Sequence, residues 1–226
     1  MGRAEIETHV ARVRTWVRDP SVCVVHISGA GTFQLDAATA RTLGLTEGAS
    51  VDAQALARIA DAAARREAKA IALRLLQRRL RSQAELESAL RRRGVSRHVA
   101  AVVMADLARA GWIDDARFAQ ALVRDRLALR PSGQRRLRAE LLARGVAPEV
   151  TDAAIRGLLS TADEEGLAVA QARLRLRRLA GLPPEVARRR LIGWLQRRGF
   201  AGGAIVKTLR ALRDALPDEV DAHTEA

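Results

Sequence analysis

The chain has 226 residues, 48% of them apolar but only 3% aromatic, with a formal net charge of +13. That length suits one or two domains, and the core must be built from Leu, Val, Ile and Ala, of which Ala and Leu favour helix. A single cysteine, Cys23, excludes an intramolecular disulfide. With no signal-like N-terminus and no run of 18 apolar residues, a cytoplasmic protein without membrane contact is expected.

The charge is unevenly placed. Residues 1–64 hold 6 basic and 7 acidic side chains, residues 65–213 hold 33 and 14, and residues 214–226 hold none and 5. A basic block between a near-neutral head and an acidic tail points to a polyanion such as nucleic acid. A merely solvated helical surface is the plainer alternative. The excess of Arg over Lys adds little, because GC-rich codon usage would produce it together with abundant Ala and absent Tyr.

In chain order, residues 12–17 alternate, Val22 to Ile27 form an apolar run, and Thr32 to Leu35 follow a Gly29-Ala30-Gly31 turn. This pattern predicts a hairpin, or a three-strand meander if the first segment is also a strand. Ile6, Val10, Val13 and Val17 fit helical spacing equally well. Cys23 falls inside the apolar run, as an inert core thiol would. Ala37 to Leu43 predicts a short helix stopped at Gly44, and from Asp52 onward the periodicity is helical.

Gly94, Gly145 and Gly199 each follow a basic helix end, at spacings of 51 and 54 residues. Aligned on them, Leu86, Leu137 and Leu191 coincide, as do Leu90, Leu141 and Leu195. Met104, Ile155 and Leu209 form a third column, and Leu107, Leu158 and Leu212 a fourth. Four apolar columns in register across three copies define an internal repeat, each unit read as three short helices. The anchors are glycines because the residue just past a helix takes a left-handed conformation that a Cβ disfavours. Ser82 with Glu85 matches a capping box, as does Thr161 with Glu164. Pro148 fits a first helical turn, Pro183-Pro184 separates two helices of the third copy, and Pro217 is expected to end the last helix.

The expected architecture is therefore mainly α: three tandem three-helix repeats forming an elongated array, preceded by a small β-hairpin-containing region. The boundaries read as 1–60 for that region, 61–115, 116–160 and 161–216 for the repeats, and 217–226 for an acidic, disordered tail.

Little in the chain suggests chemistry of its own. Asp114-Asp115 could hold a divalent cation, but Asp114 is better placed as an N-cap and Asp115 as charge on the helix's positive end. Ile113 and Phe118 then occupy the two positions of a hydrophobic staple. His9, His26, His98 and His223 are scattered, there is no nucleophile elbow, and the two lysines, Lys69 and Lys207, stand in no phosphate-binding loop. No enzyme activity, cofactor or metal is expected. The candidate binding residues are arginines: Arg91, Arg92 and Arg93; Arg135, Arg136 and Arg138; Arg144; Arg188 and Arg189; Arg197 and Arg198. Further clusters stand at Arg173, Arg175, Arg177 and Arg178. Arg92 aligns with Arg197, and Arg93 with Arg144 and Arg198, which suggests a stripe of positive charge along the repeats.

These residues also carry a family resemblance. The stretch from Leu75 to Leu86, then Leu90 to Gly94, then Gly111-Trp112-Ile113-Asp114-Asp115-Ala116-Arg117-Phe118-Ala119, resembles the signature of the RecX regulatory proteins. Gly133, Leu137, Glu140-Leu141 and Arg144-Gly145-Val146 continue it. The resemblance implies a monomeric modulator of the RecA recombinase. Such a protein would bind the RecA filament on single-stranded DNA and restrain its ATPase, strand exchange and coprotease activities, with weak direct DNA binding besides. The stretch from Leu174 to Pro184 departs from the pattern, being longer and loaded with Arg. The competing readings are a stand-alone DNA-binding protein using basic three-helix units as groove readers, a nuclease built around Asp114, and a purely structural scaffold.

Overall fold

The computed structural model describes residues 8–17 and 19–213. Ile6, Pro217 and the acidic segment 217–226 lie outside these. Three strands come first: β1 (Val10–Trp16), β2 (Asp19–Ile27) and β3 (Gly31–Asp36). Ten helices follow among the described residues: α1 (Ala37–Thr42), α2 (Ala53–Arg78), α3 (Gln83–Arg91), α4 (Arg97–Arg109), α5 (Asp115–Leu129), α6 (Gln134–Ala143), α7 (Pro148–Leu158), α8 (Thr161–Leu176), α9 (Pro184–Arg197) and α10 (Gly202–Ala211). The chain divides into two compact units. The first runs to Ile113 except for Ser82–Ala84, which belong with the second.

In the first unit the strands form an antiparallel meander in the order β1-β2-β3. The ambiguous first segment is a strand, because pairing Val10 with Ile27 and Val13 with Val25 puts its apolar residues on the face that β2 buries. Val10, Cys23, Val25, Ile27 and Leu35 build that core with Val51 and Ile59. Burial pushes the Cys23 thiol pKa above its ordinary value, which suppresses thiolate chemistry. Helix α2 serves two cores. Its early Ile59 packs with the sheet, whereas Ala68, Ala72 and Leu75 pack with α3 and α4. The boundary read at 60/61 thus falls inside one continuous helix.

The second unit contains α5–α7 and α8–α10, each triplet around its own core. Two of the four aligned columns are fully buried in every copy: Leu86, Leu137 and Leu191, and Leu90, Leu141 and Leu195. The anchor glycines have φ of 79°, 76° and 78°. At each, the residue after the glycine donates its N–H to the inner leucine of the helix just ended, Val95 to Leu90, Val146 to Leu141 and Phe200 to Leu195. This is the Schellman arrangement, repeated three times.

Two local expectations are corrected. The capping box of α8 is formed by Ser160 and Asp163, one residue before the Thr161–Glu164 pair, because Ser160 rather than Thr161 has the extended backbone of an N-cap. The last helix among the described residues ends at Ala211, ahead of Pro217.

Candidate functional site

Helical side chains lean back toward the preceding turn, and this decides what the candidate arginines do. In the aligned column, each guanidinium reaches the residue four positions earlier. Arg93 donates to the Ala89 carbonyl at 3.1 Å, Arg144 to the Glu140 carboxylate at 3.0 Å, and Arg198 lies over the Trp194 ring, 4.9 Å from its centre. Arg92 likewise donates to the Ser88 hydroxyl at 2.6 Å, and Arg91 approaches Glu87 at 4.0 Å. The positive charge of these residues is present, but their donors are partly engaged within their own helices.

Other candidates tie elements together. Arg138 makes two bonds to Asp152, at 2.7 and 3.2 Å, which hold the Asp152 carboxyl below its usual range. Arg136 donates to the Arg197 carbonyl at 3.1 Å, and Arg198 to the Pro131 carbonyl at 2.9 Å. Glu140 gathers Arg126 and Arg144. Arg188 is half-buried, whereas Arg135, Arg189 and Arg197 are exposed. Arg175 faces the same indole as Arg198, 5.9 Å from its centre.

Helix α6 begins against the end of α9. The N–H groups of Gly133 and Arg135 donate to the carbonyls of Arg198 (2.9 Å) and Gly199 (3.1 Å). The Glu164 carboxylate, 1% exposed, accepts from the N–H groups of Gln134 (2.9 Å) and Ala201 (3.3 Å). Residues 82–84, which belong with the second unit, carry a similar device. The Ser82 hydroxyl donates to the Arg144 carbonyl at 2.6 Å, and the Gln83 N–H donates to Asp115 at 2.8 Å. Ser82 therefore bonds beyond its own helix, and Glu85 accepts from Arg79 at 2.8 Å.

The acidic pair divides between two helix ends. Asp114 accepts from the N–H groups of Ala116 (2.8 Å) and Arg117 (3.0 Å) as the N-cap of α5, while Asp115 receives Gln83. Desolvation raises the Asp115 pKa, opposed by the Gln83 bond and assisted by Asp114. Each carboxylate thus has a structural task, and no group of three or more His, Cys, Asp or Glu among the described residues could hold a metal. Ile113 is buried with the first repeat's core and Phe118 with the second's. Trp112, a large apolar side chain in this run, is 54% exposed.

Sequence reasoning missed Glu164 as a buried double acceptor and overlooked Arg156. The latter lines an open cleft of about 590 Å³ bounded by α6, α7 and the start of α8. The sequence paired Glu164 with Thr161 as a capping box, a local role that hid its long-range one.

The fold and its side chains define a tandem three-helix repeat protein with its excess positive charge on the repeats and its acidic residues divided between helix ends and ion pairs. Models described as the first, second and third three-helix domains of RecX match residues 68–107, 114–155 and 163–209. The regulatory protein RecX of Thermobifida fusca is 44% identical over 154 residues, covering 68% of this chain and 83% of the relative. That of Streptomyces coelicolor is 37% identical over 153 residues, covering 68% and 79%. A crystal structure of regulatory protein RecX superposes with a TM-score of 0.76 at 18% identity, over 92% of this chain and 99% of the other. That of RecX from Lactobacillus salivarius gives 0.61 at 19%, over 66% and 96%. The chain belongs to the RecX family of regulatory proteins.

Proposed function

We propose that this protein binds RecA filaments assembled on single-stranded DNA and lowers their ATPase, strand-exchange and coprotease activities. The observation that carries the reading is the match of all three helical repeats to the RecX domains, on a chain whose repeats hold nearly all the positive charge. The physical route is differential binding: repeats that contact successive protomers favour one filament geometry over another, and the population shifts toward it. The protein acts in the cytoplasm as a monomer without a cofactor, and no helix among the described residues is long and apolar enough to cross a membrane.

The test is RecA ATPase on single-stranded DNA, titrated with this protein, with binding followed in parallel. The rate falls as the filament saturates. A flat rate at demonstrated saturation would overturn the regulatory reading, and binding to bare DNA alone would favour the stand-alone DNA-binding alternative.

A further inference from the structure

The cleft in the second unit has a composition that structural duties do not account for. Its rim carries Arg135, Arg138 and Arg156, its floor Ile155 and Leu159, and its one carboxylate is Asp152. Asp152 is already occupied by the two bonds from Arg138. Arg135 and Arg156 are exposed, neither shows a side-chain hydrogen bond or close ion pair among the described residues, and Arg156 adds only a longer-range attraction to Asp152. Three guanidiniums against one neutralised carboxylate leave an uncompensated positive charge in a concave site. The floor residues are 4% and 3% exposed and belong to the core of the second repeat, so the base of the cleft is apolar.

We infer that this cleft is a subsite for one nucleotide unit of a single nucleic-acid strand, its phosphodiester held between Arg135 and Arg156 and its sugar or base resting on Ile155 and Leu159. The inference rests on the polyanion part of the proposed function and assigns it a place. A guanidinium fork matches the paired oxygens of a phosphodiester. The size falls within the range of small-ligand sites, and an apolar floor under a few placed charges is their usual construction. A duplex keeps its bases stacked inside, whereas a single strand can turn its sugar or base into a recess. The strand is favoured over an acidic peptide because the floor offers apolar contact but no exposed backbone edge to pair with an extended chain.

The experiment measures binding of a labelled oligothymidylate to the full chain as salt is raised. Each phosphate contact on a single strand contributes about 0.7 to the slope of log affinity against log salt. The variant Arg135→Gln/Arg156→Gln removes the grip on that one phosphodiester and is expected to lower the slope by about 0.7. Arg135→Lys/Arg156→Lys retains it, since the charge remains, and the control Arg41→Gln/Arg58→Gln on the first unit leaves it unchanged. A steep slope in the wild type that the Gln variant shares in full overturns the cleft assignment alone. A flat slope in the wild type overturns the polyanion reading with it. Inorganic phosphate and thymidine monophosphate at matched ionic strength form the second arm, read as a thermal-midpoint shift. A shift in the wild type that the Gln variant lacks, beside an unchanged oligonucleotide slope, overturns the strand in favour of a free phosphate ligand.

Discussion

Helices α6 and α9 hold the same place in successive repeats, bury the same leucine columns and end on the same glycine cap, yet they begin differently. Gln134 opens α6 three residues before its first column leucine, and its neighbours' N–H groups bond to the carbonyls that end α9. Pro184 opens α9 seven residues before Leu191, one turn longer, behind Pro183. Prolines offer no N–H. The start of α6 is thus built of donors that the following repeat uses, and the start of α9 offers none at its N-cap, Pro183, or its first residue, Pro184. Positions that face a repeat's own core are alike in all copies; positions that face a neighbour are alike only where a neighbour follows.

The largest test of this contrast is at the glycines. A Cβ at Gly133 would run into the Gly199 carbonyl and the Phe200 backbone, and one at Gly199 into the Arg136 backbone. Gly94 has open space and only its φ of +79° to resist substitution. Gly133→Ala and Gly199→Ala should each cost about 3 kcal/mol, the upper part of the range for overpacking, and Gly94→Ala about 1 kcal/mol from left-handed strain. Urea unfolding measures all three, and equal costs would show that the α6–α9 junction does not matter to stability.

A smaller effect separates the two helix starts directly. Removing the buried Glu164 carboxylate orphans two donors, so Glu164→Ala should destabilise by about 2 kcal/mol, and Glu164→Gln by less because one acceptor remains. Glu185, exposed in the first turn of α9, should tolerate Ala within about 0.5 kcal/mol. A lower melting temperature for Glu185→Ala than for Glu164→Ala would contradict the account.

The smallest effect is a difference in acid sensitivity. Glu140 of α6 aligns with Trp194 of α9, and both lie under the arginine four residues on. Hydrogen bonding to Arg126, opposed by burial and aided by Arg144, holds the Glu140 pKa below its ordinary 4.5. A depressed carboxylate stabilises fully above its unfolded value and loses that contribution as pH falls through the folded one. Stability should therefore decline below about pH 4.5 in part through Glu140, and Glu140→Gln should flatten that limb, whereas Arg198 on Trp194 has no acid to titrate. Urea midpoints compared across this range check it, and an unchanged limb would remove the Glu140 pair from the account.

The sequence by itself determined the repeats. Leu86, Leu90 and their partners recur because each repeat must bury its own apolar stripe, and Gly94, Gly145 and Gly199 recur because one backbone conformation ends each middle helix. Asp114 was legible as an N-cap for the same local reason. Tertiary structure decided the rest. Val10 to Trp16 is a strand only because β2 offers a partner for its apolar face, helical spacing being equally satisfied. Asp115, Ser82 and Glu164 act on helix ends far away in sequence, and no local pattern encodes such a partner. The arginines show the limit most clearly. Arg135 and Arg138 stand three residues apart in one basic run, yet one is without an ion pair among the described residues while the other is bound to Asp152, fourteen residues on. Charge is a property of the sequence, but whether a guanidinium is free to meet a phosphate depends on which carboxylate, carbonyl or ring the fold brings within its reach.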